Sequence, residues 1–151
     1  MRAPVDFNSK DFYLRRRDII DPILERLQRN ELLCILKERE SIKDYCIRGV
    51  DWSSISYEDV LRIAKQIPAS AIYAVFSVLL LYPESCYRGL PDCIILPGAA
   101  CSLPNSHPKE LNSEFYFIEI KSAQDSISVY QKVWFHHLIS YNQRVEIWKL
   151  G

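Results

Sequence analysis

The apolar spacing of this sequence changes at Gly89, and that change divides the chain into a helical part and a part built on short strands. Before Gly89, apolar residues recur three and four apart, as on one face of a helix. Ile23, Leu24 and Leu27 follow Pro22, a residue suited to the first turn of a helix, where its missing N–H costs nothing. Leu32, Leu33, Ile35, Leu36, Ile42 and Tyr45 predict a second helix, interrupted at Gly49 and the "VDWSS" segment. Ser56 followed by Asp59 is a capping-box pattern ahead of Val60, Leu61, Ile63 and Ala64. Pro68 then opens an apolar helix running toward Leu81. Residues 1–87 are thus expected to form a layer of about four helices.

From residue 88 the pattern is strand, strand, helix, strand. Cys93 to Leu96 is a short apolar run entered from a Gly-Leu-Pro turn, and Phe115 to Lys121 is a second run rich in aromatic and branched residues. Between them Pro97, Gly98, Pro104, Asn105 and Pro108 mark a long surface loop. Ser128 to Tyr141 has helical spacing through Val129, Trp134, Phe135 and Leu138, and Val145 to Trp148 reads as a third strand. Trp52 and Trp148 are assigned to the core.

A chain of 151 residues is enough for one domain with a substantial core, so residues 1–151 are taken as a single unit. Lysine plus arginine, 19, balance aspartate plus glutamate, 19, so global charge points to neither nucleic acid nor an acidic membrane, and any such partner must be recognised locally. The N-terminus has no signal-peptide design, and the apolar run from Ala69 to Tyr82 is too short to span a bilayer. It is read as a buried helix, and no membrane association is expected. The five cysteines, Cys34, Cys46, Cys86, Cys93 and Cys101, are odd in number and lack C-x-x-C spacing, which fits a reducing compartment better than a disulfide or zinc scaffold. Glycine-rich nucleotide motifs are absent.

Against this background three charged residues are out of place. Asp92 opens the first apolar run, and Glu119 and Lys121 lie inside the second. If the two runs form an antiparallel hairpin, the count from Pro97 back to Asp92 matches that from Glu114 forward to Glu119, which brings both carboxylates to the open end. Glu119 and Lys121, two apart, share one face, while Ile118 and Ile120 take the other. Two close carboxylates raise each other's pKa unless a cation intervenes. Mg²⁺ or Mn²⁺ satisfies them, activates water and stabilises charge on a phosphate, and a neighbouring lysine orients the nucleophile or neutralises developing charge. Alone, an aspartate after proline is an ordinary turn residue and a Glu-x-Lys an ordinary strand end. Their joint register carries the metal-site reading.

Pro91-Asp92 with Glu119-Ile120-Lys121 resembles the PD-(D/E)xK nuclease motif, and Arg88, Gly89, Asp125, Ser128, Gln131 and Trp134 extend the resemblance to the VRR-NUC subfamily. The segment "DFYLRRRDIIDPILERLQR", "VDWSS" and the approach to "YRGLPD" look like the C-terminal nuclease region of the Fanconi-associated nuclease family. The resemblance implies an α/β, restriction-endonuclease-like core with a small mixed sheet and an N-terminal helical layer. It further implies a structure-selective DNase that acts on branched or flapped DNA, cutting 5′ flaps and degrading from 5′ ends during interstrand crosslink repair, with Mg²⁺ or Mn²⁺, in the nucleus. Asp92, Glu119 and the Ile120 carbonyl would bind metal, Lys121 would be catalytic, and Gln131, Gly89 and Pro91 would support them.

After Glu-x-Lys the family continues Gly-Pro-x-Asp-Arg-Leu-Ser, whereas this chain reads Ser122 to Ser128 as "SAQDSIS", and Tyr130 stands where a lysine is common. The family's further metal-binding glutamate lies upstream of the region matched by "APVDFNSKDFY", with Glu25 and Glu31 as weak substitutes. A fragment lacking N-terminal domains, or a reduced protein needing a repair partner, is therefore expected. Two alternatives stay open: a dimeric Holliday-junction resolvase, and a catalytically silent DNA-binding or interaction module. Arg88 and the run Arg15, Arg16 and Arg17 are candidate phosphate contacts, although a basic run is more often a solvated face. His136 and His137 are assigned to surface or packing.

Overall fold

The computed structural model describes residues 6, 9–41, 53–82, 88–97 and 114–151. A 3₁₀ turn, Leu14–Arg16, leads into α1 (Arg17–Gln28), which is followed by α2 (Leu32–Glu38), α3 (Tyr57–Ala64) and α4 (Ala69–Leu81). Ile20, Leu24 and Leu27 recur at helical spacing on α1 and are buried with Phe12. Pro22 lies in the interior of α1 rather than in its first turn, because the chain is already helical five residues earlier. The helix therefore runs on with one carbonyl deprived of its usual N–H partner.

The second helix is shorter than its apolar pattern suggested. It ends at Glu38, and Ile42, Tyr45 and Trp52 lie outside the described residues. Arg26 of α1 clamps the connection, reaching Glu31 at 2.9 Å and Glu38 at 2.7 Å. Helix α3 begins as expected: the Ser56 hydroxyl accepts the Asp59 N–H at 3.1 Å, and Asp59 accepts the Ser56 N–H. The Tyr57 hydroxyl donates to the Leu36 carbonyl and ties α3 to α2.

Helix α4 is apolar nearly all round because it stands between two clusters. Ala71 and Ala74 join the cluster formed by α5 and the sheet, whereas Ile72, Tyr73, Leu80 and Leu81 pack against α1. Among the described residues no single helix is long and apolar enough to cross a membrane.

The sheet has the order β1-β2-β3, with β1 at Cys93–Ile95, β2 at Tyr116–Ser122 and β3 at Val145–Leu150. Strands β1 and β2 are antiparallel, and α5 (Val129–Ser140) makes the crossover that brings β3 parallel to β2. Trp134, Phe135 and Leu138 of α5 bury Phe117 of β2 against Ala71 and Ala74. Four consecutive residues of β2, Tyr116 to Glu119, are buried, and the strand emerges at Ile120. Trp148 is half-buried rather than a core residue, because β3 is an edge strand of this sheet; its indole N–H donates to Glu146 at 2.8 Å. Residues 98–113, which carry most of the expected loop, lie outside the described part.

Candidate metal and catalytic site

Cys93 pairs with Ile118, so the residue before it, Asp92, falls beside Glu119, as the hairpin count required. The ladder does not continue through the Asp92 backbone. Instead Asp92 Oδ2 accepts the Ile120 N–H at 2.9 Å. A residue's N–H and C=O project to the same side of a strand, so the Ile120 carbonyl lies on this same edge, beyond the first paired residue of β1. Asp92 is exposed, whereas Glu119 is only 2% exposed.

The two oxygens of Glu119 have different surroundings. Oε1 takes the Lys121 ammonium at 3.1 Å and the side-chain amide of Gln131. Oε2 is buried without a hydrogen-bond partner. A buried carboxylate oxygen left unpaired carries a desolvation penalty of about 1–3 kcal/mol or more, so this atom fits a ligand that neither side chain supplies. An oxygen-seeking divalent cation suits it: Asp92 and Glu119 are neighbours in the register, and their carboxylates and the Ile120 carbonyl are all hard oxygen donors.

The first turn of α5 fixes this corner. Ser128 caps the helix by accepting the Gln131 N–H at 3.2 Å, and the Gln131 side-chain oxygen accepts the Ser128 N–H at 2.9 Å. The Gln131 amide nitrogen is then free to reach Glu119. Gly89 has φ +94°, and a Cβ there would lie 2.5 Å from the Tyr130 carbonyl carbon, so only glycine lets the turn into buried Pro91 rest on this helix start. Asp125 closes the turn between β2 and α5, accepting the Ser122 N–H at 3.1 Å. That backbone hydrogen bond, with help from the Ser122 side chain, holds its carboxyl below the usual range.

The arginine run is engaged elsewhere. Arg16 grips Asp6 with both terminal guanidinium nitrogens, at 2.9 and 2.8 Å, Arg15 lies 3.7 Å from Asp6 and 3.6 Å from Asp11, and Arg17 binds Asp21 at 3.0 Å. Arg88 is exposed next to Gly89. Glu31 is bound by Arg26 and Arg29, which leaves it poorly placed as a metal ligand. Among the described residues no three of His, Cys, Asp and Glu converge. His137 packs: its Nε2 lies 2.9 Å from the Ala74 carbonyl, and its ring meets Trp134 and Tyr141. His136 is exposed.

Residues 26–149 match the family model described as the VRR-NUC domain. Curated relatives include the Fanconi-associated nuclease 1 homologs of Dictyostelium discoideum, 29% identical over 96% of this chain and 14% of that protein, and of Schizosaccharomyces pombe, 28% identical over 96% of this chain and 19% of that protein. The Arabidopsis thaliana homolog is 26% identical over 98% of this chain. The chain thus spans less than one fifth of the length of the first two relatives. A crystal structure of paFAN1 bound to 5′-flap DNA with a 2-nucleotide flap and a gap superposes with a TM-score of 0.74 at 22% identity, over 99% of this chain and 25% of that one. That likeness establishes the restriction-endonuclease-like α/β fold expected from the sequence.

Proposed function

The chain belongs to the VRR-NUC domain family, and from that premise we propose that it is a nuclease domain that hydrolyses DNA phosphodiesters with a divalent cation held by Asp92, Glu119 and the Ile120 carbonyl. The observation that carries this reading is the unpartnered, buried Glu119 Oε2 beside Asp92, with the other Glu119 oxygen already taken by Lys121 and Gln131. The cation, Mg²⁺ or Mn²⁺, supplies charge stabilisation at the phosphate and activates water when bound.

The chain's own groups do the rest. Glu119 is held in one rotamer by Gln131, which presents Oε2 rather than Oε1 to the ligand. Asp92 is oriented by the Ile120 N–H. Lys121, 13% exposed and 3.1 Å from Glu119, orients the attacking water or offsets charge developing on the phosphate as the P–O bond to the leaving group breaks. Gly89 and Pro91 set the turn that delivers Asp92.

The substrate proposed is flapped or branched DNA, cut in the course of interstrand crosslink repair in the nucleus. Names of the curated relatives and the flap-bound state of paFAN1 support this choice. A second reading, a DNA-binding module without cleavage, draws on the convergence of only two acids among the described residues.

One assay separates the readings: labelled 5′-flap DNA incubated with Mn²⁺ or Mg²⁺, comparing the chain with Asp92→Ala and Lys121→Ala. Metal-dependent cleavage that falls at least about 100-fold in both variants is expected, a loss in the range seen for groups that stabilise transition-state charge. Cleavage unchanged in both variants overturns the assigned site. Binding without cleavage under every metal condition favours the second reading.

A further inference from the structure

On the face of the sheet that carries the site, side chains of paired residues run in rows: Phe117 beside Val145, Glu119 beside Ile147, and Lys121 beside Lys149. The rows pass from an apolar pair under α5, through the acid, to two lysines where the sheet leaves the core. Partners on adjacent strands are roughly 4.8 Å apart, and like charges side by side are destabilising. Lys121 has a counter-charge in Glu119 at 3.1 Å and also feels Asp125. Lys149 is exposed, and among the described residues no carboxylate pairs with it.

We propose that Lys149 is a phosphate-binding residue that holds the DNA backbone next to the phosphate being cut. The inference rests on the nuclease reading above and adds a residue to it. A cation at Asp92 and Glu119 would compete with Lys121 for the Glu119 charge. The row would then present two ammonium groups with little acid between them, an arrangement complementary to consecutive phosphates on one strand. Lysine also occurs on edge strands simply to discourage pairing with other chains. Its position in the Lys121 row, on the same face as Glu119, is what points to DNA here.

The test is a fluorescence-anisotropy titration of labelled 5′-flap DNA over a KCl series at one fixed concentration of Ca²⁺, an oxygen-seeking cation, on DNA whose junction linkages are phosphorothioates so that nothing is cut. Lys149→Gln is expected to weaken binding several-fold and to lower the slope of log affinity against log salt by about 0.7–0.9, the contribution of one phosphate contact. Lys149→Arg restores the slope, and Lys65→Gln, at the far end of α3, leaves it unchanged. An unchanged slope in Lys149→Gln, failure of arginine to restore it, or an equal fall in Lys65→Gln overturns the proposal while leaving the nuclease reading intact. Absence of DNA binding by the unmodified chain overturns both.

Discussion

Gln131 holds two structures together: its side-chain oxygen accepts the Ser128 N–H at 2.9 Å, and its amide nitrogen donates to Glu119 Oε1. The start of α5 and the orientation of a buried carboxylate are thereby one arrangement. A change at Gln131 alters the site without touching either acid.

Gln131→Leu removes that donor while keeping the side-chain size. Groups that orient a metal ligand typically carry about 10–100-fold in metal affinity or activity, and a loss of that order is expected in Mn²⁺ affinity and in cleavage. Circular dichroism checks that the fold persists. An affinity within twofold of the parent would rule out Gln131 as the group that orients Glu119.

Gly89→Ala places a methyl group where the Tyr130 backbone already lies and forces a side chain on a residue with φ +94°. Left-handed strain alone is worth about 1–3 kcal/mol, and the contact with α5 adds to it. At about 2–4 °C per kcal/mol for a chain of this size, a fall of several degrees in Tm is expected by calorimetry. The delivery of Asp92 to the site should loosen with it.

Much of this geometry was legible in the sequence because it is local. Ser56 with Asp59 announces α3 within four residues, and the hairpin register follows from the equal distances of Asp92 and Glu119 from the loop, whereas the Ser128–Gln131 cap of α5 is a finding of the structure. The start of α1 was not legible: Arg16 makes no side-chain cap, and a 3₁₀ turn feeds the helix, so Pro22 was the nearest visible signal. The arginine run gave no sign that Asp6, Asp11 and Asp21 would occupy it. Glu119's unpaired oxygen depends on Gln131 arriving from another element, and the Lys121–Lys149 row depends on a parallel register set by the α5 crossover. Neither leaves a mark at fixed sequence spacing.

Stability should fall in acid, and Asp125 is one source. Its hydrogen bonds with Ser122 lower its folded-state pKa below the ordinary 3.8, and Asp59 is lowered in the same way by Ser56. A depressed carboxylate contributes stability that is full above its unfolded pKa and lost as the pH drops through the folded value. Urea unfolding should therefore show a plateau near neutral pH and a decline below about pH 4. Asp125→Asn is expected to make that decline shallower, and an unchanged profile would exclude Asp125 as a contributor.

Leu138 is fully buried between α4 and the sheet, in the cluster with Phe117 and Trp134. Leu138→Ala should destabilise the chain by about 2–5 kcal/mol through lost contacts and the cavity left behind. Urea denaturation measures it, and a value under about 1 kcal/mol would mean that the site collapses around the smaller side chain.

Direct Mn²⁺ binding, followed by electron paramagnetic resonance as free Mn²⁺ is titrated with protein, tests without requiring turnover whether Asp92 and Glu119 form one cation site. The unmodified chain should bind Mn²⁺, and Glu119→Gln and Asp92→Asn should each lose that binding while staying folded. Equal Mn²⁺ binding by all three proteins would show that these two carboxylates do not hold the cation.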